Sequence, residues 1–162
     1  MSGSAEYKAH GASESPSRPE AVVNLATANR MVPLVGRIIG DILRHQRQLA
    51  QLQPEQVRLD RQRHTLNWPE RARRYQLSEE VAAEESNLLE AMAELEVLGV
   101  ALVDPETGRV GFPTIVNERP AFFSWQPGEE TLKYWHFGSE LVRRAIPASW
   151  AKHADIRLLG KS

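Results

Sequence analysis

Apolar residues recur every three or four positions in the first half of the chain, and this pattern stops at Gly99. Such spacing is typical of amphipathic α-helices that carry an apolar stripe on one face. Two segments show it, separated by a polar stretch. The stripe of the first segment consists of Ala28, Met31, Val35, Ile38, Ile42, Leu49 and Leu52, and that of the second consists of Val81, Leu88, Ala91, Leu95 and Leu98, with Met92 at its margin.

Residues that favour helix starts and stops bound both segments. Asn24 is a good N-cap for a first helix that we expect to run over residues 25–64. Pro33 is expected to kink this helix, and Pro54 either kinks it or divides it in two. A second helix is predicted over residues 69–99, because proline favours the first turn of a helix and glycine its C-terminal end.

The two stripes predict how the helices pair. If Leu98 lies opposite Ala28 in an antiparallel arrangement, the connecting turn falls near residue 63. The least helical stretch between the stripes, residues 64–69, lies almost there. Pattern and turn chemistry agree, and they predict a long antiparallel α-helical hairpin that resembles a coiled coil.

After Gly99 the spacing changes to short alternating runs separated by turn residues. One pair of strands is predicted over residues 100–103 and 109–112, with Pro113 ending the second strand. A further pair is predicted over residues 121–126 and 131–137. A helical turn is expected over residues 139–144.

The predicted fold class is therefore α+β, with the helical hairpin carrying a small three- or four-stranded antiparallel β-meander at its open end. Residues 1–22 are rich in Ser, Gly, Pro, Ala and Glu, so we expect a disordered leader. Residues 23–147 form the folded domain, and residues 148–162 form a C-terminal tail.

Composition excludes several classes of protein. The chain has no cysteine, which excludes disulfides, thiolate nucleophiles and cysteine-based zinc sites. The net charge of -1 argues against a protein that mainly coats nucleic acid. No apolar run approaches the roughly 20 residues that span a bilayer, and residues 1–20 lack the apolar core of a secretory signal. We expect a cytoplasmic protein with no transmembrane segment and no cofactor.

Several short motifs, taken in order, resemble the family of small prokaryotic proteins known as domain of unknown function 2203. The resemblance covers most of residues 24–147 and implies the fold of that family, whose label carries no activity. The tip between the helices is longer and richer in arginine here than in that family. The motifs are Ala28-Asn29, Met31 to Val35, Leu95, Leu98-Gly99-Val100, Gly111-Phe112-Pro113, Trp125, Gly128-Glu129, Trp135-His136, Arg144 and Ile146-Pro147.

One candidate ligand site lies in the predicted sheet. Trp135 and His136 are adjacent on a strand, so their side chains point to opposite faces. An imidazole near a carboxylate such as Glu129 can act as an acid or base, or can hold a ligand. The alternative is a histidine whose hydrogen bond seats the strand pair. The candidate ligand-binding residues are Trp125, Glu129, Trp135, His136 and Arg144.

We call the predicted contact between the two apolar stripes the seam. Polar residues interrupt it, which raises the question of metal binding. His45 occupies a seam position of the first helix, with Glu84 and Glu85 close to it across the predicted pairing. Di-metal helical bundles require about four carboxylates and paired Glu-x-x-His repeats, which this chain lacks. We therefore expect an ion pair that fixes the helix register and no metal, with these three residues as weak candidates.

Arginines flank the predicted turn, whereas glutamates dominate the second helix beyond it. Such a tip is able to contact an acidic protein, a nucleic-acid backbone or an anionic lipid surface, or is simply a solvated surface. No nucleic-acid motif accompanies it, so a nucleic-acid partner is not expected. The candidate partner-binding residues are Arg58, Arg61, Arg63, Arg71, Arg73 and Arg74.

The function predicted from these features is a non-enzymatic protein–protein interaction or assembly module, with a protein partner or a homo-oligomer. Two paired helices leave apolar surface that association would cover. The first alternative is a small-molecule- or metal-dependent activity centred on His136 and Glu129, and the second is nucleic-acid contact through the arginine tip.

Overall fold

The computed structural model describes residues 23–138 and 140–151. Two long helices precede a five-stranded antiparallel sheet, so the fold class is α+β, as predicted. The predicted leader and residues 152–162 of the predicted tail lie outside the described residues.

Helix α1 spans Leu25–Arg61. Its N-cap is Asn24, as predicted, whose side-chain oxygen accepts a hydrogen bond of 2.7 Å from the Thr27 backbone N–H. Pro33 and Pro54 both lie inside this single helix, so Pro54 does not divide it. The helix ends three residues before the predicted end.

Helix α2 spans Trp68–Val97 and begins with a capping box. The Asn67 side chain accepts from the Glu70 N–H, and the Glu70 carboxylate accepts from the Asn67 N–H. At the other end Gly99 adopts a φ of 78°, and its N–H donates to Glu96 O. The next N–H, of Val100, reaches back to Leu95 O, which completes a Schellman motif and ends the helix.

Side-chain contacts connect the two helices in opposite order: residues farther along α1 contact residues nearer the start of α2. His45 contacts Glu84, and farther along α1 Glu55 contacts Arg73. Apolar stripe residues fill the space between the helices. Those that are buried are Ala28, Val35, Ile38, Ile42 and Leu49 on α1, and Val81, Ala91 and Leu95 on α2.

The sheet has five strands in sequential order, each antiparallel to its neighbours. The prediction of three or four strands was therefore too low. The strands are β1 (Ala101–Asp104), β2 (Arg109–Val116), β3 (Arg119–Trp125), β4 (Tyr134–Phe137) and β5 (Arg144–Ala145).

Pro113 does not end strand β2, which continues to Val116. Strand β1 pairs with β2 only as far as Gly111, so none of the strands in residues 23–138 and 140–151 lies beside Pro113 on that edge. Although proline has no backbone N–H, no hydrogen bond between strands is therefore lost at Pro113. On the same edge, the Pro113 carbonyl accepts a bond of 2.9 Å from the Val23 N–H, ahead of α1.

Strand β5 occupies the end of the segment in which we predicted a helical turn. Residues 140–143 are not helical, and Arg144 pairs with Trp135 of β4. The Ile146 N–H extends this pairing by donating to Lys133 O at 2.9 Å. A strand of two residues is too short to show alternation, so the tertiary pairing alone defines it.

The inner face of the sheet packs on the end of the molecule where α1 begins and α2 ends. A methyl group at Gly36 of α1 would lie 3.4 Å from Trp125 Cη2, so α1 approaches the sheet closely there. Asn29 Oδ1 accepts a bond of 2.8 Å from the Leu132 N–H, which ties the segment before β4 to α1. A separate small cluster near the connection between the helices consists of Leu59, Leu66 and Leu77.

Trp150 packs against the inner face of the sheet. Its ring centroid lies 5.2 Å from that of Trp135 and 6.4 Å from that of Phe123. Described residues 148–151, which the sequence analysis placed in the tail, thus include a side chain in contact with the core.

Candidate functional site

Glu129 lies at the centre of a dense hydrogen-bond network where β3 ends. Its carboxylate accepts two bonds from the Arg143 guanidinium, at 2.8 and 3.0 Å, and one of 3.1 Å from the Gln126 N–H. Its backbone carbonyl accepts a bond of 2.7 Å from the indole N–H of Trp125. Gly128, with a φ of 102°, makes the turn that brings Glu129 back to the strand.

Arg143 is the residue that holds this network together, and the sequence analysis missed it. Its Nε–H donates to Ser124 Oγ at 2.8 Å, and its guanidinium lies 4.3 Å from the centre of the Tyr134 ring. The Arg143 and Glu129 side chains are only 13% and 16% exposed. A bidentate ion pair between largely buried side chains fixes their relative orientation, because the guanidinium and the carboxylate form two parallel hydrogen bonds in only one favourable arrangement.

Arg144, the residue that we predicted at this site, belongs elsewhere. It pairs with Glu140, with its Nε–H 3.1 Å from Glu140 Oε1, and half of its side chain is exposed. This guanidinium holds the pKa of the Glu140 carboxyl below its usual range, assisted by the Phe137 N–H. Adjacent strand residues point to opposite faces, which separates Arg144 from the Glu129 network.

Trp135 and His136 point to opposite faces of β4, as their adjacency predicts. Trp135 packs in the core, with its ring centroid 4.9 Å from that of Phe137. His136 is 4% exposed, and its Nδ1–H donates to the Phe137 carbonyl at 2.8 Å. Its ring lies 5.5 Å from that of Phe122. The hydrogen bond thus stays within β4, and the ring contact connects His136 to Phe122 of β3.

The polar break in the helix seam contains the predicted contact between His45 and Glu84. The His45 Nδ1–H donates to Glu84 Oε2 at 2.6 Å, with both side chains largely buried. Glu85 is exposed instead. Among residues 23–138 and 140–151, no three potential metal-ligating side chains of the His, Cys, Asp or Glu type lie together.

Two of the six tip arginines connect α2 to α1. Arg73 makes a bidentate pair with Glu55 at 3.0 and 3.1 Å, which lowers the pKa of the Glu55 carboxyl. Arg74 donates from Nε to Asp60 Oδ1 at 2.8 Å. The exposed arginines of the tip are Arg58, Arg61, Arg63 and Arg71.

A second apolar stripe runs along the solvent-facing side of α2, opposite the seam. Trp68, Tyr75, Ala82 and Leu89 follow one another at intervals of seven residues, and we call this set the outer ridge. The Trp68, Tyr75 and Leu89 side chains are 69%, 72% and 67% exposed. Because the seam is buried within the chain itself, the outer ridge is a separate apolar surface of α2 that faces solvent.

Comparison with protein families gives one match. The family described as Uncharacterized conserved protein (DUF2203) matches residues 22–143, which include both helices and strands β1 to β4. Comparison with curated proteins and with solved structures found no match. In the described part of the chain, neither long helix has the apolar length needed to cross a membrane. The chain belongs to the DUF2203 family of uncharacterized conserved proteins.

Proposed function

We propose that this protein is a non-enzymatic interaction module in which an antiparallel helical hairpin of coiled-coil type displays a partner-binding surface. The contacts between His45 and Glu84 and between Glu55 and Arg73 support the hairpin, because they connect the helices in opposite order. The sheet packs on one end of the helices and stabilises their arrangement.

The outer ridge carries this proposal. Trp and Tyr are enriched in protein interfaces, where they contribute large contact areas at low conformational cost. Scattered exposed apolar residues need no explanation, but a repeat of seven residues over three intervals defines a continuous stripe on one helix face. Trp68, Tyr75 and Leu89 each expose at least two thirds of the side chain.

The Glu129 network contributes rigidity to this scaffold. Each oxygen of the Glu129 carboxylate accepts a bond from Arg143, and the Ser124 hydroxyl accepts another. Charge-assisted bonds of this kind connect the end of β3 to the segment before β5. The network thus holds the sheet in the shape that supports the helices.

Site-specific photocrosslinking in cells tests the proposal. A photoreactive phenylalanine analogue at Tyr75 is compared with the same analogue at Leu141, an apolar residue that is 88% exposed and lies in the segment between β4 and β5. We expect the label at Tyr75 to yield a crosslinked product of discrete mass and the label at Leu141 to yield none. Absence of any product from Tyr75 and from Leu89 would overturn the proposal.

A further inference from the structure

We infer that the outer ridge binds a second copy of this chain, with α2 of one copy packed antiparallel against α2 of the other. This inference rests on the proposed function, because it names the partner of the same surface. The reasons are the spacing of the ridge residues, their sizes and the charges beside them.

The spacing makes the ridge complementary to itself. A two-fold axis that crosses α2 midway between Ser78 and Glu79 places Trp68 opposite Leu89 of the other copy. The same axis places Tyr75 opposite Ala82 of the other copy. Each large aromatic ring therefore faces a smaller aliphatic side chain, which lets two helices interdigitate.

Charges beside the ridge distinguish this register from others. On one flank the axis brings Arg71 next to Glu85 of the other copy, and both residues are exposed. On the opposite flank it brings Glu79 close to Glu79 of the other copy. The first contact favours association and the second opposes it, so the register predicts opposite effects for changes at these positions.

The available area is sufficient for a specific but modest interface. Trp68, Tyr75 and Leu89 together expose roughly 400 Å² per copy, given that a fully buried aromatic residue contributes about 150–250 Å². Two copies therefore cover about 800 Å² with these side chains alone. About 200 Å² more from the flanking residues would bring the total to the ~1,000 Å² that separates biological interfaces from incidental contacts.

Sedimentation equilibrium of the full chain tests association. We expect a reversible dimer, and we expect Leu89→Glu to raise the dissociation constant at least tenfold. Leu141→Glu is the matched control and should change it less than twofold. Leucine and glutamate have similar helix propensities, and Leu89 is exposed, so the variant retains its fold, as circular dichroism will verify. A wild-type chain that stays monomeric up to ~1 mM overturns the inference.

Spin labels test the antiparallel register. Because the chain lacks cysteine, Asn87→Cys and Glu94→Cys each provide one labelling position on α2, away from the ridge. At 1.5 Å per residue, the antiparallel register separates the two labels of a dimer by about 26 Å along the axis for position 87 and about 47 Å for position 94. Equal distances at the two positions indicate parallel helices and overturn the register.

Charge reversal tests the contact between Arg71 and Glu85 of the other copy. The two residues lie 14 positions apart, about 21 Å along one helix, so coupling between them has to cross between copies. We expect Arg71→Glu and Glu85→Arg each to weaken the dimer about fivefold, and the double variant to recover wild-type affinity within twofold. Glu79→Gln should tighten it. Additive losses in the double variant overturn the register.

Photocrosslinking separates this inference from the proposed function. A crosslinked product at Tyr75 that contains a second copy of the chain supports both. A product that contains a different protein, from a chain that is monomeric in sedimentation, supports the proposed function and overturns the inference. Absence of any product overturns both.

Discussion

Replacing Arg143 with methionine is the sharpest test of how the sheet is held together. Methionine retains most of the side-chain length but removes the charge and every guanidinium bond. The change leaves the Glu129 carboxylate, which is 16% exposed, without its cation. It also removes the bonds to Ser124 and the contact with the Tyr134 ring.

The expected loss of stability follows from the burial of the ion pair between Arg143 and Glu129. Breaking a buried ion pair by removing one partner costs about 3–5 kcal/mol, because the remaining charge is left without compensation. Here the Gln126 N–H still donates to Glu129, and water reaches part of the carboxylate. We therefore expect the lower end, about 3 kcal/mol in the free energy of unfolding, which corresponds to roughly 10 °C in Tm for a chain of this size.

Urea denaturation followed by circular dichroism measures this loss. Arg144→Met is the matched control, since Arg144 is adjacent in sequence and also ion-paired, but half-exposed; its effect should be much smaller. Arg143→Lys should fall between wild type and Arg143→Met, because lysine keeps the charge but not the two-pronged geometry. An Arg143→Met variant as stable as Arg144→Met would refute the assignment.

Three further substitutions test local features. Glu118 adopts a φ of 62°, so Glu118→Gly should raise the free energy of unfolding by about 0.5–1 kcal/mol in urea denaturation; a loss would contradict this. Gly108 has a φ of 83°, and a methyl group there would lie 2.7 Å from Ile39 Cγ2, so Gly108→Ala should cost about 2 kcal/mol in the same assay. Arg144 lowers the pKa of Glu140 below the ordinary 4.5, so its stabilisation is present above that pH and lost as pH falls through the folded-state pKa. The stability difference between wild type and Glu140→Gln should accordingly shrink between pH 7 and pH 3, and a constant difference would rule this out.

Local signals in the sequence were enough to predict the helices. Asn24 caps α1 because its short side chain reaches the third N–H of the helix, a contact that depends on few neighbours. Gly99 ends α2 because a positive φ is needed there. Such features involve residues close in sequence, and their boundaries were predicted within three residues.

The sheet depended on contacts between distant residues, and its prediction was less complete. Pro113 is normally a strand breaker, but its effect depends on whether a neighbouring strand lies beside it, which the sequence does not state. Strand β5 consists of two residues, too few for a pattern. The turn at Asn117 and Glu118 lacks glycine, although both residues have positive φ, so the usual hairpin signal was missing.

The candidate site was likewise predicted only in part. Glu129 and Arg144 were both named as candidate ligand-binding residues, and the structure pairs Glu129 with the neighbouring Arg143 and Arg144 with Glu140. Which of the two adjacent arginines contacts Glu129 depends on the face of the sheet to which each side chain points. That face is set by the register of β5 against β4. Because a shift of one residue exchanges the two faces, an error of one position in a short strand moves a charge to the opposite side of the sheet.

The outer ridge was overlooked for a related reason. Only one apolar stripe was predicted on α2, the one that forms the seam, and Trp68 and Tyr75 were assigned to no stripe. A helix that is apolar on two opposite sides has little net amphipathicity, so a search for one dominant stripe underestimates both. The structure separates them, because Val81 and Leu95 are buried whereas Trp68, Tyr75 and Leu89 are exposed. The inner stripe of α2 is already buried within the chain, so folding of the single chain does not explain the exposed aromatic residues of the outer ridge, whereas the association proposed above would bury them.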